Sequence, residues 1–254
     1  MSDFDFDWDN RKAMRNTWTT GIVLSTACLI TQLVLYKYVP KIRKTDQMVL
    51  TQLTIARLLN TTVEFLLSFD VFNAMQSDIL WGMLTHSEAV TICWMCVYTK
   101  ILYDKFVIVL GVEDINFKVL SCLIWLLTIP LGALDPVLAT RYYEFFLFSY
   151  TWVKLGVLTV NMYFFFKIYN VILDVKMRAN SKVASIVVSS VISFILFCIT
   201  SFGSFVSILM TDVVPEYSQM DQILDDGFLI MNSFAGIAIT VIFVIRTKTQ
   251  MKER

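Results

Sequence analysis

The chain has 254 residues, 57% of them hydrophobic, with a formal net charge of zero and a mean hydropathy of +0.65. Ordinary soluble domains carry roughly 45–50% apolar residues, so the composition points away from an average globular enzyme. The balanced charge excludes an electrostatic footprint for nucleic acid.

Apolar stretches near the ~20 residues that cross about 30 Å of hydrocarbon recur along the whole chain. Taken in order they are Trp18–Tyr38, Met48–Phe69, Ala89–Val112, Phe117–Val137, Phe148–Val171, Val183–Met210 and Gly227–Ile245. They predict an all-α membrane protein, a seven-transmembrane helix bundle over residues 18–245. Residues 1–17 form a short outer tail and residues 246–254 a short basic inner one. The first 17 residues, with Asp3, Asp5, Asp7 and Asp9, lack the apolar core of a cleavable signal.

Basic residues set an expected orientation. Lys37, Lys41, Arg43 and Lys44 follow the first stretch, and Lys176, Arg178 and Lys182 lie between the fifth and sixth. Arg246, Lys248, Lys252 and Arg254 end the chain. The positive-inside rule then places the N-terminus outside and the C-terminus in the cytoplasm, with Arg11, Lys12 and Arg15 opposing. The expected location is the plasma membrane, as a multi-pass protein in contact with lipid.

The second stretch carries Arg57, Asn60 and Glu64, spaced three, four and seven apart and so on one helix face. Such a polar seam turns inward, either to bind helices together or to line a cavity. At the end of the third stretch Lys100 and Asp104 are four apart, where a pair along the helix is available. The seventh has no lysine between Gly227 and Ile245, which argues against a retinal protein, and offers Asn232 and Ser233 for bonds across helices. His86, the single histidine, falls in the expected connection before Ala89, and no hydrolase, zinc-protease or phosphate-loop motif is present. No catalytic activity, cofactor or metal is expected.

Several strings resemble the G-protein-coupled receptor superfamily. Lys44 to Leu58, KTDQMVLTQLTIARL, is similar to the start of the second helix of bitter-taste (type 2 taste) receptors, and Arg57 falls on that family's arginine. Tyr103-Asp104-Lys105-Phe106 is similar to the D-R-Y element, and Trp125 to the fourth-helix tryptophan. Asn232 to Ile239 is in register with N-S-x-x-N-P-x-I-Y, with Gly236 and Ile237 in place of Asn-Pro. The sixth-helix C-W-x-P proline and the cysteines that join helix three to the second outer loop are missing. Divergent invertebrate chemosensory receptors fit about as well.

The resemblance implies a chemosensory receptor with a small organic ligand between the outer helix halves and a heterotrimeric G protein as partner. Helix direction offers Glu64, Thr91, Trp94, Tyr150, Lys154, Ser204 and Asp226 as ligand contacts. Arg57, Asn60, Lys100, Asp104, Lys105 and Asn232 would serve switching and coupling. The rival reading is a channel or transporter subunit, or a membrane scaffold that does not signal.

Overall fold

Helix α1 runs unbroken from Asp3 to Tyr38 in the computed structural model of the chain. The structure describes residues 3–39, 45–69, 71–104, 116–133, 156–157, 159–170, 192, 227 and 229–252. Regular structure among them is entirely helical. The further helices are α2 (Thr45–Leu67), α3 (Ala74–Tyr103), α4 (Phe117–Leu127), α5 (159–170) and α6 (Ala235–Lys252).

Each helix has a local cause. On α1, Ile22, Ser25, Leu29 and Gln32 are buried, a stripe at spacings of three and four. Asn73 starts α3 through a reciprocal capping box: its side chain accepts from Gln76 N, and Gln76 Oε1 accepts from Asn73 N at 3.1 Å. Two orphan amides are thereby satisfied at once. Pro130 has no amide to continue the ladder, and α4 accordingly ends at Leu127. Thr128 then turns its amide to Leu126 O, and its hydroxyl donates to Ile124 O at 2.9 Å. Residues 129–133 resume a helical path.

Helix α2 is the centre of the described fold, packed against α1, α3 and α6. Its connection to α3 is a short turn, so the two run antiparallel. Helix α4 returns along α3: Phe117 lies 5.6 Å from Trp94, and Trp125 lies 5.8 Å from His86, ring to ring. Trp125 also donates to Gln52 Oε1 of α2 at 3.0 Å. Helix α1 approaches α6 and the residues just ahead of it closely through small residues, Ser25 against Gly236 of α6 and Gly21 against Ser233. The interior holds a ladder of amides and hydroxyls: Gln32 donates to Thr54 Oγ1 at 2.6 Å, and Gln47 to Thr247 Oγ1 at 3.1 Å. Around it lie Leu29, Leu50, Leu53, Trp94, Tyr98 and Phe243, all essentially inaccessible.

This architecture corrects the expectation of seven membrane spans. Among the described residues one helix is long and apolar enough to cross a membrane, Ala13–Tyr38. In α2 the apolar residues are diluted by Gln52, Arg57, Asn60 and Glu64; in α3 by Gln76, Asp78, His86, Glu88 and Lys100; in α6 by Arg246, Lys248 and Lys252. A crossing helix needs a long run that is predominantly apolar, and in these helices polar and charged residues interrupt that run. The seven-transmembrane fold class, the outside-to-cytoplasm orientation and the multi-pass plasma-membrane location fall with that count.

Two helix boundaries also differ from expectation. Helix α3 begins fifteen residues before Ala89, so His86 sits inside a helix rather than in a connection. Helix α6 continues through Arg246 to Lys252, where a basic tail was expected.

Candidate functional site

The polar face of α2 closes on α3 and on residues 229–233 ahead of α6. Arg57 is the anchor: its side chain is 2% exposed. Nη1 donates to Asn60 Oδ1 at 2.7 Å, three residues along the same helix. Nη2 donates to the backbone carbonyl of Asn232. Asn60 in turn donates from Nδ2 to Ser87 Oγ of α3 at 3.3 Å. Ser87 Oγ donates to Leu84 O at 2.9 Å, and Thr91 Oγ1 to Ser87 O at 2.8 Å. Three helical segments are thus linked through one guanidinium and one amide.

Beside this network lies a cavity of about 180 Å³, lined by Arg57, Asn60, Glu64, Leu84, Glu88, Thr91, Ile92 and Asn232. Pockets for drug-sized ligands measure roughly 300–1,000 Å³, so this one suits a smaller solute. Its electrostatics are strained. Burial lowers the proton affinity of Arg57, while Glu64 and Glu88 favour its charged form. Burial pushes the Glu64 carboxyl up; Arg57 and the Trp18 indole oppose that, and Glu88 adds to it. Trp18 acts here as a nearby dipole, because its Nε1 meets no acceptor at hydrogen-bonding geometry. Arg57 Nε, Glu64 Oε2 and Asn232 Oδ1 are all buried without a partner. Unmatched buried polar atoms cost about 1–3 kcal/mol each, and three of them meet at one cavity.

The expected ligand and switch residues do not separate as the sequence suggested. Glu64 and Thr91, expected at a ligand, share the cavity with Arg57, Asn60 and Asn232, expected at a switch. Trp94 stands apart, wholly buried against Phe117. Lys100 and Asp104 do form their ion pair, with the lysine side chain 51% exposed, at the far end of α3. Asp104 lies thirteen residues from Thr91, about 20 Å along a helix. Tyr150, Lys154, Ser204, Asp226 and Lys105 lie outside the described residues. Sequence reasoning missed Leu84, Ser87 and Glu88, which fell in the supposed connection before Ala89. The signal was the capping pair Asn73 and Gln76, followed by Leu84, Glu88 and Thr91 at spacings of four and three.

No protein-family model and no curated protein matches the chain. The resemblance to G-protein-coupled, bitter-taste-like or chemosensory receptors therefore has no support beyond the short strings that suggested it. With one candidate crossing helix among the described residues, the receptor reading is corrected, together with its G-protein and membrane-lipid partners. The channel, transporter and membrane-scaffold readings relied on the same seven spans and gain nothing from the structure.

Proposed function

We propose that the protein is a non-catalytic helical-bundle binding protein that holds a small polar solute in the cavity between α2, α3 and residues 229–233. One observation carries this reading: a guanidinium and two carboxylates, Arg57, Glu64 and Glu88, converge on one cavity. Burying charge is costly unless it is matched. A fold that needed only cohesion could fill this space with aliphatic side chains, as it does around Leu50 and Leu53. Perturbed titratable groups gathered at a cavity are the usual signature of a binding site.

The reading leaves reaction chemistry aside. Among the described residues no group of three or more histidines, cysteines or acids could hold a metal ion.

Thermal unfolding of the full chain against a panel of small polar solutes tests the proposal. At least one solute should raise the midpoint in a saturable way, and Leu84→Trp, which fills the cavity, should abolish that shift. A shift that survives in a folded Leu84→Trp protein would place binding elsewhere and refute this assignment.

A further inference from the structure

We infer that the solute is a small neutral molecule with a primary carboxamide head. This deepens the binding reading above and rests on it. The ground is a match of donors and acceptors. Three buried polar atoms of the lining residues make no hydrogen bond: the acceptors Glu64 Oε2 and Asn232 Oδ1, and the donor Arg57 Nε. The other guanidinium nitrogens are already engaged, Nη1 with Asn60 Oδ1 and Nη2 with Asn232 O. Trp18 Nε1 lies near Glu64 but makes no bond to Oε2.

A primary carboxamide carries two N–H donors on one nitrogen and one carbonyl acceptor. Its two N–H groups donate to Glu64 Oε2 and Asn232 Oδ1, and its carbonyl accepts from Arg57 Nε. An alcohol brings one donor and leaves an acceptor bare. A carboxylate brings no donor for Glu64 or Asn232, and an ammonium brings no acceptor for Arg57 Nε. Helix register gathers the three atoms. Glu64 lies two turns beyond Arg57 on one face of α2, and the bond from Nη2 to the Asn232 carbonyl holds residue 232 beside them.

A neutral head also suits the charges already present. It adds none, so it needs no fixed ionisation of Glu64, whose carboxyl burial pushes up, and it leaves Glu88 to its own contacts. A neutral carboxyl accepts through its carbonyl oxygen, as a carboxylate does through either oxygen. Leu84 and Ile92 supply the apolar part of the lining and suit a short hydrocarbon stem, which the cavity's volume limits to a few carbons. Glu64 Oε2 and Asn232 Oδ1 are closed to solvent, so both side chains turn as the head seats.

Calorimetric titration of the purified full chain with propionamide, N-methylpropionamide, butyramide, propionate and propylammonium separates the cases. Propionamide should bind tightest. N-methylpropionamide has lost one N–H, and should bind at least about fivefold more weakly than butyramide, which is the same size and keeps both. Asn232→Ala removes Oδ1 but keeps the main-chain carbonyl that Arg57 uses, and should weaken propionamide about tenfold. Glu64→Met should do the same, whereas Glu64→Gln keeps an acceptor oxygen and should stay within about threefold of the parent. Lys100→Met, remote from the cavity, should leave the affinity unchanged. Unaltered propionamide binding in Asn232→Ala and Glu64→Met would overturn the inference, as would N-methylpropionamide binding as tightly as butyramide. Tighter binding of propionate or propylammonium, lost in a folded Leu84→Trp protein, would overturn the carboxamide class while leaving the cavity as the binding site. Propionamide binding that survives in a folded Leu84→Trp protein would refute the cavity itself. Saturable binding of none of the five by a folded protein would overturn the carboxamide class; the wider solute panel then decides whether the binding site itself stands.

Discussion

Arg57 donates through Nη2 to the backbone carbonyl of Asn232, across 175 residues of sequence. The contact is to main chain, so the identity of the residue at 232 does not matter to it; the path of residues 229–233 does. Phe234 breaks that path with a turn, its amide bonding to Met231 O at 3.2 Å. Arg57 therefore reads a local backbone geometry, and α2 is held to the start of α6 by a charge-assisted hydrogen bond.

Removing the guanidinium should cost far more than the hydrogen bonds it makes. Arg57→Met removes the buried charge that interacts with Glu64 and Glu88 at the cavity. Breaking one side of a buried charged set costs about 3–5 kcal/mol, and denaturant titration should show a loss in that range. Arg57→Lys keeps the charge but not the planar fork that reaches Asn60 and Asn232 together, so an intermediate loss is expected. Adding Glu64→Gln to Arg57→Met should recover part of the stability. Equal stability of Arg57→Met and the parent would remove the charge argument.

The pH dependence follows from Glu64. Its carboxyl is raised above the ordinary value of 4.5, chiefly by burial, with Glu88 contributing and Arg57 and Trp18 opposing. Between the unfolded and folded values the native state holds a proton that the unfolded chain has released, so stability falls as pH rises. The contribution is complete below the unfolded value and is lost through the raised folded one. Glu64→Gln should flatten this limb and be the more stable protein at neutral pH. Parallel stability curves for the two proteins from acid to neutral pH would show that Glu64 does not titrate in this way.

The α2 seam was readable from spacing alone, because Arg57, Asn60 and Glu64 obey helical periodicity whatever surrounds them. Its partner was not. Apolar-run reading finds greasy segments, and the first fifteen residues of α3 include Gln76, Ser77, Asp78, His86, Ser87 and Glu88, which imitate a connection. The same bias ends α6 short at its basic residues and counts helices interrupted by polar residues as membrane spans. Hydropathy along the chain does not reveal which side of a helix is buried: Thr54, Arg57 and Asn60 are inside, while Val23, Leu24 and Ile30 are outside. Asn232 offers a side chain able to bond across helices, yet its bond to Arg57 runs through the backbone carbonyl, which no sequence motif encodes.

The capping box at Asn73 gives a test of where α3 begins. Replacing an N-cap asparagine by alanine costs about 1 kcal/mol. Asn73→Ala should lose about that much, and amides of the first turn of α3 should exchange faster with solvent. Gln76→Ala removes the reciprocal bond alone and should cost less. If Asn73→Ala leaves those exchange rates unchanged, the helix does not start at Ala74.

Two glycines distinguish soft from hard close packing. A Cβ on Gly21 would come within 2.1 Å of Ser233 Oγ and 3.0 Å of its Cβ. The nearest of these atoms is a hydroxyl that can rotate away. A Cβ on Gly132 would come within 2.4 Å of the Gly82 backbone oxygen and 2.8 Å of His86 Cβ. No rotamer moves a carbonyl, so α3 itself must shift away from residues 129–133. Overpacking costs about 1–3 kcal/mol where neighbours can adjust. Gly21→Ala should fall at the low end, and Ser233→Gly in the same chain should relieve most of it. Gly132→Ala should lie at or above the high end and should also disturb the His86–Trp125 contact, visible as a change in tryptophan fluorescence. A Gly132→Ala protein no less stable than Gly21→Ala, with unchanged fluorescence, would mean that residues 129–133 do not pack on α3 this closely.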